Sequence, residues 1–369
     1  MTGERPLLPH PGPAHYTDPA LLDVERRQIF TDNWVSIGAA SKLQKPGDVC
    51  PLEVAGQPLL VTRDEDGRLH IFFNVCRHRG LKLIDAACHR ANGLITCPYH
   101  TWSYSLDGEL RAAPYWDRSA GSAPDELTRN DLRLKAVRHV VWYDTIFVNL
   151  SGTAQPFDAF IAPLAERWAG FDANELRLLV AKEYHPRANW KLVCENFLDG
   201  YHLPFVHGQV GGPSAGADYV TVGLSVDCFG AFVPGGESER PRINRPLPSF
   251  PNVPKKFGSS HHFIYLFPNT LLAIGEQWFQ AICVLPGAVN ESFENLGLYL
   301  VSDEAMADDR ANQRREFERQ MLRINEQDLE ILAQLQIGRA SNAGADSNYA
   351  PYWDELAVML HRRLAGVSG

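Results

Sequence analysis

The pattern of apolar and polar positions divides the chain into an N-terminal helix, two β-rich regions and a charged helical region. Asp18 and Pro19 predict a helix N-cap and first turn, and this helix is expected to run to about Phe30. Short β runs follow from about Ala40, and this first β region is expected to end near residue 155. The chain therefore combines helices with β structure in separate stretches.

Turn residues locate the strands more closely. Two hairpins are expected in the first β region, around Asp64-Glu-Asp-Gly67 and Asp107-Gly108. The candidate strands of the second β region are Leu176–Tyr184, Tyr219–Val233, His262–Leu266, Thr270–Ile274, Gln277–Leu285 and Leu296–Val301. Loops at 208–218 and 234–260, rich in Gly and Pro, are expected to be functional lids or disordered segments. Ser302 is expected to cap the charged helical region that follows.

Composition limits the classes of function. The chain has 369 residues, 45% of them hydrophobic, which is enough for two domains with a sizeable core. The net charge of -9 argues against a nucleic-acid partner, because phosphate binding needs a basic face. No run reaches the ~18 apolar residues of a membrane span, and the N-terminus lacks the apolar core of a signal peptide. The odd number of seven Cys is typical of a reducing compartment, so we expect a cytoplasmic protein.

Two Cys–His pairs lie in the first β region. Cys76 and His78 form one pair, and Cys97 and His100 form a second pair after a gap of 18 residues. Each pair is expected at a hairpin tip, so that two loops close around one group. Two thiolates and two imidazoles suit either a structural zinc or a Rieske [2Fe–2S] centre. Mixed pairs favour the cluster, because each Rieske loop must ligate both irons; zinc and four unrelated core residues are the alternatives.

The residues beside these pairs carry a further expectation. High-potential Rieske loops add a Cys to each loop and join the two by a disulfide, whereas Leu81 and Tyr99 occupy those places here. We therefore expect an untied cluster toward the lower end of the roughly -150 to +300 mV Rieske range.

A second candidate site lies between Asn189 and His207. The residues from Trp190 to about Tyr201 suit a helix. His202 and His207 would be about 140° apart around an unbroken helix, too far to bind one ion. Pro204 is expected to end the helix at the preceding residue, which lets the chain fold back and place the two His side by side. Two His plus a carboxylate form the ligand set of non-haem Fe(II) oxygenases; the alternative is two His that satisfy a helix C-terminus.

The charged helix toward Gly338 offers a carboxylate. Its expected apolar stripe consists of Phe317, Met321, Ile324, Ile331 and Leu335. Filling the gap in this stripe places Asp328 on the buried face, where an unpaired carboxylate is costly and needs a cation, a metal or hydrogen bonds. Asp328 is the candidate third ligand, and a buried salt bridge to an Arg is the alternative.

Taken together, these residues resemble the catalytic α subunit of Rieske non-haem iron oxygenases over nearly the whole chain. The motifs are Asn74-Val-Cys-Arg-His-Arg-Gly80, Cys97-Pro-Tyr-His-Thr-Trp102 and Glu195-Asn-Phe-Leu-Asp-Gly-Tyr-His202, with His207 and Asp328. The resemblance implies an α+β fold in which a Rieske-type β domain (40–155) is inserted in a larger catalytic domain (156–369). That domain would have a curved antiparallel sheet flanked by helices, with an N-terminal segment (1–39) packed on it.

The resemblance also implies cofactors and partners. These are a [2Fe–2S] Rieske cluster, a mononuclear non-haem Fe(II), and electrons indirectly from NAD(P)H through a flavin or iron–sulfur reductase, possibly with a ferredoxin. The chain shows no G-x-G-x-x-G of its own, which agrees with external reduction. Asp199 matches the family's bridging carboxylate, which links His202 of one subunit to a cluster His, His100, of its neighbour in a homotrimer.

The implied activity is that of a terminal oxygenase, which uses O2 to hydroxylate or oxidatively dealkylate a small organic substrate such as an aromatic compound or a quaternary amine. The segment from Asn196 to Asp199 is one residue shorter than in naphthalene-type dioxygenases and looks closer to oxygenases of quaternary amines and of some aromatic carboxylates. Pocket walls are expected from Phe205, from the strand that carries Trp278 and Phe279, and from the two long loops. A Rieske electron carrier or sensor without oxygenase activity is the second reading, and a zinc-stabilised binding module is the third.

Overall fold

The computed structural model describes residues 7–208, 220–234, 247–254 and 260–366. Most of the two Gly- and Pro-rich loops expected from the sequence lies outside these residues. The chain divides into two compact units. The smaller unit comprises Ala40–Val141 and Val148–Thr153, and the larger comprises Met1–Ala39, Trp142–Phe147 and Ala154–Gly369. The smaller unit is thus inserted in the sequence of the larger one.

The regular elements are as follows. The helices are α1 (Ala14–Thr17), α2 (Pro19–Asp32), α3 (Glu126–Asp131), α4 (Phe157–Arg167), α5 (Trp190–Leu198), α6 (Leu203–Val206), α7 (Ser302–Met306), α8 (Ala311–Arg339) and α9 (Glu355–Ala365). The strands of the first half are β1 (Leu8–Pro9), β2 (Val35–Ala39), β3 (Asp48–Val54), β4 (Gln57–Arg63), β5 (Leu69–Phe73), β6 (Cys88–His89), β7 (Leu94–Thr96), β8 (Ser103–Ser105), β9 (Leu110–Ala112), β10 (Arg138–Trp142) and β11 (Thr145–Asn149). The remaining strands are β12 (Leu176–Tyr184), β13 (Val220–Ser225), β14 (Cys228–Pro234), β15 (Ser260–Leu266), β16 (Thr270–Ile274), β17 (Trp278–Pro286), β18 (Ser292–Val301) and β19 (Asn348–Tyr349). Within the described residues, no helix is long and apolar enough to cross a membrane.

The smaller unit contains a four-stranded sheet in the order β5-β4-β3-β6 and a three-stranded sheet in the order β7-β8-β9. Both expected hairpins are confirmed, as β4 pairs with β5 and β8 pairs with β9 in antiparallel fashion. Gly108 adopts a positive φ of 85°, and a Cβ there would lie 2.6 Å from the Phe72 ring. The second turn therefore requires Gly for its backbone conformation and for its close packing.

The larger unit is built on a seven-stranded antiparallel sheet in the order β12-β18-β17-β16-β15-β14-β13. The expected strands Leu176–Tyr184 and Thr270–Ile274 have the predicted bounds. The stretch from Tyr219 to Val233 is expected as one strand, but its described part, from Val220 on, forms the hairpin of β13 and β14. Asp227 turns the chain there, since its backbone carbonyl accepts a hydrogen bond from Phe267 and its carboxylate accepts one from Arg363. Helices and a large antiparallel sheet together make the fold α+β.

Successive side chains of a strand point to opposite faces of the sheet, so Trp278 and Phe279 of β17 contact different neighbours. Trp278 lies near His261 and near Phe317 of α8. Phe279 is fully buried on the other face, against Trp168 of the segment after α4. Phe279 is thus a core residue, and a contribution of β17 to a pocket wall would come from Trp278.

Of the two expected helix caps, Asp18 is confirmed and Ser302 is wrong. Asp18 caps α2 by accepting a hydrogen bond from the Ala20 N–H, as predicted, and the helix runs on to Asp32. Ser302 does not cap the charged region, because it is already the first residue of α7 and has a positive φ of 68°.

The apolar stripe expected for α8 is largely wrong. The buried residues of this helix are Phe317, Asn325, Leu332, Ala333 and Gln336. Ile331 and Leu335 are 38% and 37% exposed. Polar partners explain the difference: Asn325 donates to Glu294 on β18, and Gln336 accepts a hydrogen bond from the Asn189 N–H. Hydrogen bonds of side-chain amides thus hold this face of α8 against its neighbours, where the sequence pattern predicts apolar contacts.

Candidate metal centres

The two Cys–His pairs of the smaller unit occupy turns with the same hydrogen-bond pattern. The Cys76 N–H donates to the carbonyl of Leu81, and the Gly80 N–H donates to the carbonyl of Cys76. The second turn repeats this with Cys97, Trp102 and Thr101 in the equivalent places. Gly80 and Thr101, at equivalent positions, both have positive φ, 76° and 59°. The sequence therefore builds two matching loops.

The candidate Cys ligands and the candidate His ligands of these loops differ in burial. Cys76 and Cys97 are buried, whereas His78 and His100 are exposed, with their ring centroids 4.7 Å apart. Burial and the neighbouring Cys76 raise the pKa of the Cys97 thiol. Such a set has an inner pair of sulfurs and an outer pair of imidazoles, which fits a cluster with one iron on each pair.

A single zinc fits this set less well. A zinc ion holds four ligands at about 2.0 to 2.3 Å, so all of its ligand atoms lie close together. Among the residues that the structure describes, only His202, His207 and Asp328 bring three such ligand atoms within 4.8 Å of one another. No three of the side chains of Cys76, His78, Cys97 and His100 form such a group in the described structure, which favours a two-iron cluster over one zinc.

Tyr104 is a neighbour of the cluster loops that sequence reasoning missed. It is fully buried, and its hydroxyl oxygen lies 3.4 Å from Cys76 Sγ and 3.0 Å from the Arg77 amide nitrogen. The amide can only donate, so the Tyr104 oxygen accepts from it and the hydroxyl hydrogen is free to point at sulfur. A Tyr on the strand after the second loop was the only sequence signal.

The corner from Asn189 to His207 in the larger unit is built differently from the prediction. Helix α5 ends at Leu198, because Asp199 leaves helical geometry and its Oδ1 accepts a hydrogen bond from the Tyr201 N–H at 2.6 Å. This local turn competes with the helix. Pro204 does not end α5; it lies in the first turn of the separate helix α6, where a missing N–H costs nothing.

Helix α6 brings the two predicted His together. His202 precedes this four-residue helix and His207 follows it, so their Nε2 atoms lie 3.2 Å apart. Asp328 Oδ1 on α8 lies 3.4 Å from His202 Nε2 and 3.1 Å from His207 Nε2. The structure thus gathers the two His and the carboxylate that the sequence singled out.

The spacing of these atoms suits a metal ion. Two ligands about 2.1 Å from one ion and at right angles to each other lie about 3 Å apart. The three measured separations, 3.1, 3.2 and 3.4 Å, match one face of such a coordination sphere. Asp328 Oδ1 is buried and finds no hydrogen-bond partner among the described residues. The residues therefore fit a two-His-one-carboxylate iron site with open positions.

The charges at this site change the pKa of His202 and the pKa of Asp328. Burial alone would lower the pKa of His202, but Asp199 and Asp328 outweigh burial and raise that pKa to about 9. Burial alone would raise the pKa of Asp328, but His202 and His207 outweigh it, and the net effect is a lowered pKa. The carboxylate is therefore held in the ionised form that a cation requires.

The outer nitrogens of both imidazoles also have partners. His202 Nδ1 lies 3.3 Å from Asp199 Oδ2, and His207 Nδ1 lies 3.1 Å from Gln327 Oε1. Gln327 has no signal in the sequence beyond its place next to Asp328. Glu195 of α5 lies away from this site and accepts hydrogen bonds from the Tyr16 hydroxyl and the His361 ring.

The aromatic residues near this corner separate into two groups. Phe205 is 72% exposed and packs edge-on against Tyr201, which in turn stacks on Trp353. Helix α5 packs against β15 and β17, the strands that carry Phe263 and Trp278. Phe197 of α5 contacts Phe263, and both rings are partly exposed. Trp278 remains a predicted wall residue.

A domain with two matching Cys–His loops, joined in sequence to a domain with a two-His-one-carboxylate site, defines the class of Rieske oxygenases. Residues 174–367 match the family model of the ring hydroxylating alpha subunit (catalytic domain), and residues 33–130 match that of the Rieske [2Fe-2S] domain. The first match covers more than half of the chain. The chain belongs to the ring-hydroxylating alpha subunit family and contains a Rieske domain.

Two relatives show which members of the family the chain is similar to. It is 32% identical to the glycine betaine monooxygenase oxygenase subunit of Chromohalobacter salexigens over 206 residues, which cover 55% of this chain and 43% of the relative. It is 25% identical to the chloroplastic choline monooxygenase of Arabidopsis thaliana over 359 residues, which cover 92% of this chain and 78% of the relative. The matched segment thus spans less than half of the glycine betaine relative's length.

Solved structures share the fold. The quaternary ammonium Rieske monooxygenase CntA superposes with a TM-score of 0.78 at 20% identity, over 98% of this chain and 96% of that chain. Naphthalene 1,2-dioxygenase from Rhodococcus sp. superposes with a TM-score of 0.76 at 19% identity, over 98% of this chain and 94% of that chain.

Proposed function

We propose that the chain is the terminal oxygenase component of a multicomponent Rieske system. It would use O2 and electrons from an NAD(P)H-dependent reductase to hydroxylate, or oxidatively dealkylate, a small quaternary amine. The observation that carries this proposal is the close set of His202, His207 and Asp328 in a chain that also has a Rieske domain. An electron carrier has no use for a second, open metal site.

The site residues have distinct proposed roles. Cys76, His78, Cys97 and His100 hold the [2Fe–2S] cluster, and the two His and the carboxylate hold the mononuclear iron. The cluster supplies single electrons and the iron supplies the activation of O2 when they are bound. The domain limits 1–39, 40–155 and 156–369 are part of this proposal.

Asp199 has the proposed role of a bridge between subunits. Its Oδ2 lies beside His202 Nδ1, and its side chain is 33% exposed, so it is accessible to a neighbouring molecule. The bridge would run to the partner subunit's His100 within a homotrimer. By analogy, a solved quaternary ammonium Rieske monooxygenase, described as transferring electrons between subunits in carnitine oxidation, supports this arrangement.

Three observations favour a quaternary amine as the substrate class. Two relatives at 32% and 30% identity are glycine betaine monooxygenase oxygenase subunits, and the short segment from Asn196 to Asp199 favours the same group. Partly exposed aromatic rings such as Phe197, Phe263 and Trp278 can hold a quaternary ammonium by cation–π contact. An aromatic substrate is the second candidate, because naphthalene 1,2-dioxygenase shares the fold. The proposed partners are the reductase and a possible ferredoxin. The proposed location is the cytoplasm.

The test is substrate-dependent O2 uptake by the purified chain with a matched reductase and NADH. Glycine betaine, choline and carnitine would be compared with naphthalene, and product mass would identify the oxidised carbon. Oxidation next to the quaternary nitrogen is expected to release an aldehyde. Uptake only with the aromatic compound would reverse the order of the two candidates. Iron content separates an oxygenase, with about three irons per chain, from a carrier with about two.

A further inference from the structure

The imidazole of His207 is held from both sides by two consecutive residues of α8. Its Nε2 lies 3.1 Å from Asp328 Oδ1, and its Nδ1 lies 3.1 Å from Gln327 Oε1. The ring itself is 1% exposed, so water does not compete for either nitrogen. Whatever fixes the proton of this ring must therefore come from the protein.

The Gln327 oxygen decides which nitrogen carries the proton. An amide oxygen only accepts hydrogen bonds, so Nδ1 must be the protonated nitrogen of the neutral ring. Nε2 then keeps its lone pair and points toward Asp328 and His202 Nε2, 3.2 Å away. A ring with the opposite tautomer would present an N–H to the ion and could not bind it.

The two His of the site receive different partners for the same task. Asp199 holds the outer nitrogen of His202 with a partly exposed carboxylate, whereas Gln327 holds that of His207 with an uncharged amide. A charged partner on a fully buried imidazole would add a second carboxylate beside Asp328. The neutral amide gives orientation without that extra charge.

From this geometry we infer that Gln327 is a positioning residue that orients His207, fixes its tautomer and thereby sets the metal affinity of the mononuclear site. This inference rests on the proposed function, since it takes the triad as a metal site. Partners of this kind usually contribute 10- to 100-fold in metal affinity. Because Gln327 and Asp328 are neighbours on one rigid helix, α8 delivers a ligand and an orienting group together.

The experiment measures Co²⁺ affinity at the mononuclear site of the intact, cluster-loaded protein, with mononuclear iron removed. Gln327→Leu removes the acceptor oxygen and is expected to weaken Co²⁺ binding about 10- to 100-fold. Gln327→Glu keeps an acceptor at the same reach, now with the extra charge that the amide avoids, and is expected to bind Co²⁺ more tightly than Gln327→Leu. Gln334→Leu, on an exposed position of the same helix, is the matched control and should bind as the unaltered protein does.

The outcomes distinguish this inference from the proposed function. If the unaltered protein binds no Co²⁺ at this site, the metal-site assignment fails, and the role of Gln327 fails with it. If the unaltered protein binds Co²⁺ and Gln327→Leu binds it equally well, only the positioning role is refuted. Gln327→Glu that binds as weakly as Gln327→Leu would also refute it. A purely structural role would instead lower the Tm of the metal-free protein and leave its affinity unchanged.

Discussion

Replacement of Tyr104 by Phe tests how the smaller unit tunes its cluster. The hydroxyl accepts a hydrogen bond from the Arg77 N–H, so its own hydrogen points to Cys76 Sγ at an O···S distance of 3.4 Å. Reduction adds negative charge to the cluster, and a donor to a ligand sulfur stabilises the reduced state more than the oxidised state. Tyr104→Phe should therefore lower the reduction potential.

The size of the shift follows from the strength of the lost bond. A hydrogen bond of this kind is worth about 1 to 2 kcal/mol of differential stabilisation. For a one-electron couple, 59 mV corresponds to a factor of ten, so the potential should fall by about 40 to 90 mV. The Arg77 N–H also loses its acceptor, which should cost about 1 to 3 kcal/mol of stability if no water replaces the hydroxyl.

Redox titration followed by EPR of the reduced cluster measures the potential. Tyr115→Phe is the matched control, because Tyr115 belongs to the same unit but is 67% exposed. Its potential should equal that of the unaltered protein. An unchanged or raised potential in Tyr104→Phe, with full cluster content, would refute the assigned direction of the hydrogen bond.

Three further predictions address the larger unit. Asp199→Ala should weaken iron binding at the mononuclear site about 10- to 100-fold, because His202 loses its partner. With iron in excess and a reducible cluster it should still lose most of its turnover, because the path between subunits is interrupted; iron analysis and product formation check this, and near-normal turnover would contradict the bridge. The Lys191–Glu25 pair has its charged atoms 2.6 Å apart and side chains only 1% and 3% exposed. Glu25→Gln should therefore destabilise the unit by about 3 to 5 kcal/mol in urea unfolding, and a cost near that of an exposed pair would contradict this. Burial, with Arg167 nearby, lowers the pKa of His262 to about 3. The unfolded chain thus binds the proton first, and stability is present above about pH 6.5 and falls below it, by about 2 kcal/mol at pH 5. His262→Gln should remove this contribution to the pH dependence of the urea unfolding midpoint. An unchanged pH dependence would refute the prediction.

The comparison of prediction with structure shows where local patterns suffice. The hairpin turn at Asp107-Gly108 and the cap at Asp18 depend on neighbours in sequence, and the structure has both where they were expected. The second Cys–His pair lies at the tip of the β7–β8 hairpin, as expected, whereas the first lies in the loop after β5, which does not pair with the next strand, β6. The boundary at Leu198 was missed, because Asp199 turns the chain through a local hydrogen bond that competes with the helix.

Helix α8 shows where local patterns fail. Periodicity placed Asp328 on a buried apolar stripe, yet Ile331 and Leu335 of that stripe are exposed. Asp328 faces the two His because amides such as Asn325 and Gln336 fix the rotation of the helix through distant partners. The expected position of Asp328 was right, although the apolar stripe from which it was reasoned was not.

The amino-acid sequence by itself determined which residues are the candidate ligands of both centres. Thiolates, imidazoles and a carboxylate at these spacings have few uses other than metal binding. Only the tertiary structure decided which atoms meet. His207 is more than a hundred positions from Gln327 and Asp328, and contact between them depends on how α8 is packed and rotated. Hydrogen bonds such as those of Gln327 and Tyr104 are fixed by ångström-scale distances that spacing along a chain does not encode.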